Sequence, residues 1–97
     1  MSTVVSSGIA FLNRPGGGKK AVIAGSRIRV SQIAIEHERL GMTPEDIHAA
    51  HPHIKLYQIF DSLAYYFRHK DEIDGEIEDD EKMVKRFAKK YKIAYPA

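Results

Sequence analysis

The clearest helical pattern in the chain runs over residues 56–68, which read LYQIFDSLAYYFR. Apolar side chains recur there at i, i+3, i+4, i+7, i+8 and i+11, the spacing of one continuous helix face. The positions predicted to face the core are Leu56, Ile59, Phe60, Leu63, Ala64 and Phe67. The positions predicted to face outward are Tyr57, Gln58, Asp61, Ser62, Tyr65 and Arg68. The segment therefore predicts an amphipathic helix.

Two shorter helices are predicted immediately before this segment. Ser31 is the expected cap of the first, which ends at Gly41 because glycine readily takes a left-handed conformation. The second begins at Thr43, has a proline in its first turn and Asp46 in the capping-box position, and stops before Pro52. The positions predicted to face inward are Ile33, Ala34, His37, Leu40, Ile47 and Ala50. Three helices joined by short turns are typical of a helix-turn-helix.

The first third of the chain reads as strands and turns. Residues 7–12 alternate weakly and predict a short strand, and the loop at residues 14–18 combines a proline with three glycines. Residues 21–23 and 28–30 are rich in β-branched side chains and flank Gly25, which predicts a hairpin with a tight turn.

Acidic and basic residues are separated near the end of the chain. Between residues 71 and 97, all eight acids precede all six bases. Gly75 and its acidic neighbours predict a break or a fraying helix end, and a fourth helix is expected from about residue 79 to residue 92. One side of that helix carries Met83, Val84, Phe87, Ala88 and Tyr91. This stripe fits a partner's groove, but it fits equally well a closure of the domain's own core or a homodimer seam.

These elements predict a mainly α fold. Short N-terminal strands or a β-hairpin occupy residues 1–30, and a three-helix helix-turn-helix core occupies residues 31–70. An acidic segment and an amphipathic helix occupy residues 71–97. With 97 residues, the chain makes one small domain with a modest core. The absence of cysteine, of an export signal and of a bilayer-length apolar run favours a cytoplasmic protein without a membrane partner.

Several kinds of functional site are not expected. No nucleophile motif or catalytic set is recognisable, so we expect neither an enzyme nor a cofactor. The glycine-rich stretch ending at Lys20 lacks the Ser or Thr that a phosphate-binding loop requires at that position. His48, His51 and His53 surround Pro52, which interrupts helical geometry, so no metal site is expected.

The charge distribution favours an anionic partner. Residues 1–35 contain five bases and no acid, although ordinary solvation of a small domain explains this almost as well. Lys and Gln side chains read base edges in a major groove, whereas hydroxyl and guanidinium groups hold phosphates. The predicted DNA contacts are Lys55, Tyr57, Gln58 and Ser62 on the third helix, Thr43 on the second, and Arg27 and Arg29 in the hairpin.

Three blocks of the chain resemble a set of known motifs, and they follow one another in the same order and at the same spacing as those motifs. They are residues 20–30, KAVIAGSRIRV, residues 40–47, LGMTPEDI, and residues 52–65, PHIKLYQIFDSLAY. They are similar to the motifs P-x-I-x-G-T-R-I-x-V, GMSPEEI and P-x-L-T-x-x-x-I-x-x-A-L-x-Y. These motifs belong to a bacterial family catalogued as domain of unknown function 433. Lys20 replaces the usual proline of the first motif, and Lys55 replaces the capping threonine of the third.

The resemblance implies a VapB-like antitoxin with a homeodomain-like helix-turn-helix. It implies a homodimer that binds its own operator DNA, regulates transcription and pairs with a PIN-like nuclease toxin. We therefore predict the antitoxin of a type II toxin–antitoxin pair, with the partner-binding residues Met83, Val84, Phe87 and Tyr91. The alternative is a protein-interaction module that binds a partner through its C-terminal helix without binding DNA.

Overall fold

The computed structural model describes residues 3–4, 8–13 and 18–91, where strands precede helices. The strands are β1 (Thr3–Val4), β2 (Ile9–Asn13) and β3 (Lys19–Ile23). The helices are α1 (Val30–Glu38), α2 (Pro44–Ala50), α3 (Leu56–Arg68) and α4 (Lys70–Lys90). The mainly α fold class with N-terminal strands is confirmed. Residues 14–17 of the predicted loop and the predicted helix end at residue 92 lie outside the described residues.

The strands form one antiparallel sheet in the order β1-β2-β3. β2 pairs with β3 along its whole length, with Ile9 opposite Ile23. The predicted hairpin between residues 21–23 and residues 28–30 is present only in part. Its turn forms at Gly25, which has a φ of 78°, but its second arm is a single bridge between Val22 and Arg29. The arm is short because the chain turns into α1 at the next residue.

The beginning of α2 forms as its sequence predicts. Thr43 Oγ1 accepts a hydrogen bond from the backbone N–H of Asp46, and Asp46 Oδ2 accepts one from the N–H of Thr43, both at 3.1 Å. Gly41 follows α1 with a φ of 69°, the predicted left-handed conformation. The predicted cap at Ser31 is wrong, because α1 begins one residue earlier and buries Ser31 in its first turn.

Buried side chains form two clusters. One joins the sheet to α1, α3 and α4 and contains Ile9, Ala21, Val30, Ala34, Tyr66, Ile73 and Ile77. The other joins β3 to α1, α2 and α3 and contains Ile23, Ile33, Ile47, Ile54, Ile59 and Leu63. Leu40 and Ala50, which were predicted to face inward, are exposed. α3 contributes to both clusters and is the central element of the fold.

α3 occupies the predicted segment but buries a different face. Its buried residues are Ile59, Ser62, Leu63 and Tyr66. Phe60 and Phe67 are half-exposed and Ala64 is exposed, so the prediction that they face the core is wrong. The physical reason is that α3 must reach both clusters, and Tyr66 supplies its contact with the cluster that includes α4.

α4 is one continuous helix of 21 residues, so the predicted break at Gly75 and the predicted start near residue 79 are wrong. Ile73 and Ile77 bury one side of its first half in the core. Their burial, at about 2 kcal/mol each, outweighs the cost of about 1 kcal/mol for a glycine inside a helix. Neither α4 nor any other helix in the described residues is long and apolar enough to cross a membrane.

Candidate interaction surfaces

The first turn of α3 presents two of the predicted DNA-contacting side chains to solvent. Lys55 precedes the helix and is exposed, and Tyr57 is 66 % exposed. Gln58 has a structural task, because its Oε1 accepts a hydrogen bond from the backbone N–H of Lys55 at 2.8 Å. That bond satisfies one of the free N–H groups at the helix start. The acceptor atom with which Gln58 would read an adenine is therefore already engaged.

Ser62 does not belong to this surface. Its side chain is 0 % exposed, and its Oγ donates a hydrogen bond to the backbone oxygen of Gln58 at 2.9 Å. The prediction that Ser62 contacts DNA is wrong, because the helix turns this side toward the core. A small hydroxyl residue fits there because it satisfies its own polar group within the helix.

The solvent side of α3 carries an apolar stripe in place of the predicted polar face. The residues of this α3 stripe are Tyr57, Phe60, Ala64 and Phe67, at helical spacing. Periodicity missed the stripe because it assigns the most apolar side of the segment to the core, whereas the structure buries the neighbouring side that carries Ser62 and Tyr66. Exposed aromatic side chains in a row are typical of a binding surface.

Arginines of the N-terminal half pair with the acids of α4. Arg29 Nη1 lies 2.9 Å from Asp80 Oδ2 and 3.8 Å from Glu76 Oε2. Arg39 Nη1 lies 2.7 Å from Glu81 Oε2. We predicted that Arg29 holds DNA phosphates. In this conformation its guanidinium group is engaged by the carboxylates of α4. The charge distribution contained a signal of these ion pairs, because the acid-free first third of the chain and the acidic start of its last third have complementary charges.

Two other predicted phosphate contacts are accessible. Arg27 is exposed in the turn after β3. Thr43 is exposed at the start of α2, with its hydroxyl oxygen and its backbone N–H both used in the capping box. Of these two, Arg27 retains the freer side chain for an anionic partner.

The second half of α4 presents the predicted partner-binding side chains together. This α4 apolar face consists of Met83, Val84, Phe87 and Tyr91, each more than half exposed. The rings of Phe87 and Tyr91 lie side by side, with centroids 4.6 Å apart. Of the predicted uses for this face, closure of the domain's own core is wrong, because these four side chains remain in solvent. Ala88, the fifth member of the predicted stripe, is buried.

The histidines near Pro52 hold the helices together. His51 Nε2 donates a hydrogen bond to the carboxylate of Glu36, 3.0 Å from each oxygen, and Gln32 Nε2 donates to the same group at 2.7 Å. These contacts satisfy Glu36, which is buried in α1. His48 Nδ1 lies 2.7 Å from the backbone oxygen of Ile54. Within residues 3–4, 8–13 and 18–91, no group of three His, Cys, Asp or Glu side chains is arranged to hold a metal ion.

A hydrogen-bonded triad fixes the junction between α3 and α4. Tyr66 Oη donates to Asp74 Oδ1 at 2.8 Å, and Lys70 Nζ donates to Tyr66 Oη at 3.0 Å and to Asp74 Oδ2 at 2.9 Å. The hydrogen bonds from Lys70 and then from Tyr66 lower the pKa of the Asp74 carboxyl below its usual value. Burial raises the pKa of the Tyr66 phenol. The triad therefore keeps Asp74 ionised to a lower pH than an isolated aspartate.

Comparison with known families matches about half of the chain. The family model described as "Protein of unknown function (DUF433)" matches residues 17–66, and the chain belongs to this family. The match begins just before β3 and ends within α3, so the whole of α4 lies beyond it. No curated protein and no solved structure matches the chain.

Proposed function

We propose that this protein is the antitoxin of a type II toxin–antitoxin pair. In this proposal the α4 apolar face binds a PIN-like nuclease toxin, and the α2–α3 unit of a homodimer binds operator DNA. The observation that carries the proposal is the α4 apolar face, whose four large side chains are all exposed on a helix outside the family match. Membership of the family adds the expectation of an antitoxin role.

The spacing of the α4 apolar face supports a groove as its binding partner. Val84, Phe87 and Tyr91 follow at i, i+3 and i+7, the anchor pattern of a helix that lies in an apolar groove. Anchors of this kind contribute much of the binding free energy because they lose contact with water on docking. Basic residues flank the anchors and would face the rim of the groove.

The start of α3 supports the DNA-binding part of the proposal. Lys55 and Tyr57 are exposed in its first turn. Arg27 is also exposed, two residues before Arg29, which pairs with Asp80. A homodimer would place two α3 helices about 34–36 Å apart, one in each of two successive major grooves.

The protein-binding part is tested with truncations of the α4 apolar face. We expect Phe87→Ala and Tyr91→Ala each to weaken binding of a PIN-like nuclease encoded beside this chain by about tenfold or more, because both remove an anchor. Leu40→Ala is the control, since Leu40 is an equally exposed apolar residue elsewhere. Equal affinities for all three variants, measured by calorimetry, would remove α4 as the docking element.

The DNA-binding part is tested by reversing a charge at the start of α3. We expect Lys55→Glu to reduce affinity for the DNA upstream of its own gene by about tenfold or more, and to relax sequence preference. Lys89→Glu makes the same change of charge on α4 and is the control. Fluorescence anisotropy measures the affinity for the operator. An affinity that is unchanged by Lys55→Glu would contradict the proposal that α3 recognises bases.

A second candidate function is a protein-interaction module that does not bind DNA. The apolar character of the α3 stripe, the burial of Ser62 and the internal pairing of Arg29 favour it. This candidate predicts that the nuclease still binds through α4 while duplex DNA of any sequence fails to bind at low salt. Saturable DNA binding at low salt would exclude it.

A further inference from the structure

A cavity of about 560 Å³ lies on the side of the sheet that carries Lys20. Its volume is within the range of ~300–1,000 Å³ that is usual for small-molecule sites. The residues that line it are Leu12, Lys20, Val22, Ser26, Arg27 and Arg29. They include three cationic side chains and, among the residues that the structure describes, no carboxylate. This composition indicates an anionic ligand.

The strand register places four of these side chains on one face of the sheet. Lys20 lies opposite Leu12 in the β2–β3 ladder, and Val22 lies opposite Arg29 in the bridge that follows the turn. Directly opposed residues share a face, and so do residues two apart on one strand. Lys19 precedes Lys20 on β3 and therefore lies on the opposite face, where it lines a different cavity.

Lys20 and Arg27 supply the positive charge of this cavity. Lys20 is half-buried and Arg27 is exposed, and neither forms an ion pair with any of the described residues. Arg29 differs, because its Nη1 lies 2.9 Å from Asp80 Oδ2 and 3.8 Å from Glu76 Oε2. Those carboxylates neutralise the charge of Arg29 but contact only one of its three nitrogens, so the other two can still donate hydrogen bonds.

The turn that carries Arg27 is held by hydrogen bonds on both sides of this residue. Ser26 Oγ donates to the backbone oxygen of Ile23 at 2.8 Å and accepts from the backbone N–H of Ile28 at 3.1 Å. The hydroxyl group of Ser26 is therefore engaged within the turn. Because this backbone is already ordered, a ligand that binds Arg27 does not have to order a loop.

We propose that this cavity binds a small phosphate monoester. The phosphate group carries about two negative charges at neutral pH, lies between Lys20 and Arg27, and accepts hydrogen bonds from both. The carbon skeleton of the ester lies against Leu12, which is half-buried opposite Lys20. A phosphodiester of the DNA backbone carries only one charge, so a pair of cations is better matched by the monoester. The proposal is independent of the antitoxin function, because it requires neither operator DNA nor a toxin.

The test uses the full chain and two probes that share a phenyl ring, phenyl phosphate and its diester methyl phenyl phosphate. The diester keeps the phosphate group but carries a single charge, like the DNA backbone. We expect the monoester to shift the backbone amide signals of Val22, Ser26 and Arg27 saturably in NMR titrations at neutral pH. We expect it to bind about tenfold or more tightly than the diester.

Matched variants on β3 separate this site from a general attraction to basic residues. Lys20→Gln should weaken the binding of phenyl phosphate by about tenfold, because it removes a charge-assisted hydrogen bond. Lys19→Gln removes the same charge one residue earlier, on the opposite face of the sheet, and should retain the affinity. Arg27→Gln should have the same effect as Lys20→Gln.

Three results would overturn the proposal. One is the absence of saturable shifts with phenyl phosphate. Another is equal binding of the two probes, which would make the cavity a contact for any phosphate, including those of DNA. The third is an equal loss of affinity in Lys20→Gln and Lys19→Gln. The comparison of the two probes uses the unmodified chain, so it remains decisive if a variant fails to fold.

Discussion

Position 62 illustrates how a small polar residue is accommodated on the buried face of a helix. Ser62 is fully buried between Ile59 and Tyr66 on α3, and its hydroxyl group bonds to the backbone one turn earlier. A serine there leaves room for neighbouring elements to pack closely and leaves no polar atom unsatisfied. The polarity of serine by itself predicts a solvent-exposed position, whereas its small size is compatible with the core.

Enlarging this residue should therefore be costly. We expect Ser62→Leu to lower the free energy of unfolding by about 1–3 kcal/mol, because the added atoms must be forced into a packed core. Ala64→Leu makes a comparable enlargement on the exposed side of α3 and should change it by less than about 0.5 kcal/mol. Urea denaturation of both variants measures the difference, and the reverse ranking would contradict the observed orientation of α3.

The carboxyl group of Asp74 makes stability depend on pH. Its pKa is lowered in the folded state by the hydrogen bonds from Lys70 and Tyr66. The contribution of Asp74 is therefore complete above the pKa of an unfolded aspartate, about 3.9, and is lost as the pH falls through the lower folded-state value.

We expect Asp74→Asn to be less stable than the unmodified chain at about pH 7, and the gap to narrow progressively as the pH falls below about 3.9. The effect is modest, since Asp74 is partly exposed and water screens its interactions. Asp79→Asn, at an exposed position of the same helix, is the control. A gap that stays constant over this pH range in urea denaturation would show that the triad does not stabilise the ionised form.

At the scale of elements, α4 shows that burial overrides local propensity. Gly75 and its acidic neighbours favour a break, but Ile73 and Ile77 lie on either side and both enter the core. The helix continues through the glycine because its backbone hydrogen bonds and the burial of these isoleucines together outweigh the loss of backbone entropy.

Replacing this glycine should stabilise the protein. A Cβ added at Gly75 meets no atom within 4 Å, so Gly75→Ala should raise the free energy of unfolding by about 0.5–1 kcal/mol. Gly25→Ala should have the opposite sign, because Gly25 has a φ of 78° that alanine adopts only with strain. Thermal denaturation compares the two. A destabilised Gly75→Ala protein would be incompatible with a continuous α4.

At the scale of the whole molecule, ion pairs join the residues that flank α1 to α4. Arg29 and Asp80 are 51 positions apart, and Arg39 and Glu81 are 42 positions apart. Pairs this exposed contribute at most about 1 kcal/mol each, so an anionic partner can compete for these arginines. Under the proposed function, α4 and operator phosphates would therefore compete for Arg29.

This competition predicts a change in DNA affinity. We expect Asp80→Asn to strengthen non-specific binding to duplex DNA at low salt and to steepen its salt dependence by about one counterion, because Arg29 becomes available to a phosphate. Glu78→Gln makes the same change in net charge and is the control. The same affinity for both variants, measured by anisotropy at several salt concentrations, would mean that Arg29 does not contact DNA.

The candidate surfaces were predictable to different degrees. The α4 apolar face was identified by its spacing, because the second half of that helix has one clear apolar side and a charged remainder. The α3 stripe was not, because Phe60 and Phe67 are more apolar than Ser62 and Tyr66, which the structure buries in their place. Glu76 was hidden among eight acids, and only packing distinguishes it from its solvated neighbours.

Local sequence determined where α2 and α3 lie. The capping box at Thr43, the proline that follows it and the apolar period of residues 56–68 act over a few residues, so α2 and α3 formed where they were predicted. Tertiary contacts decided which face of α3 is buried, whether α4 continues through Gly75, and which acids meet Arg29. Those outcomes depend on free energies summed over elements far apart in the chain, and no local pattern contains that sum.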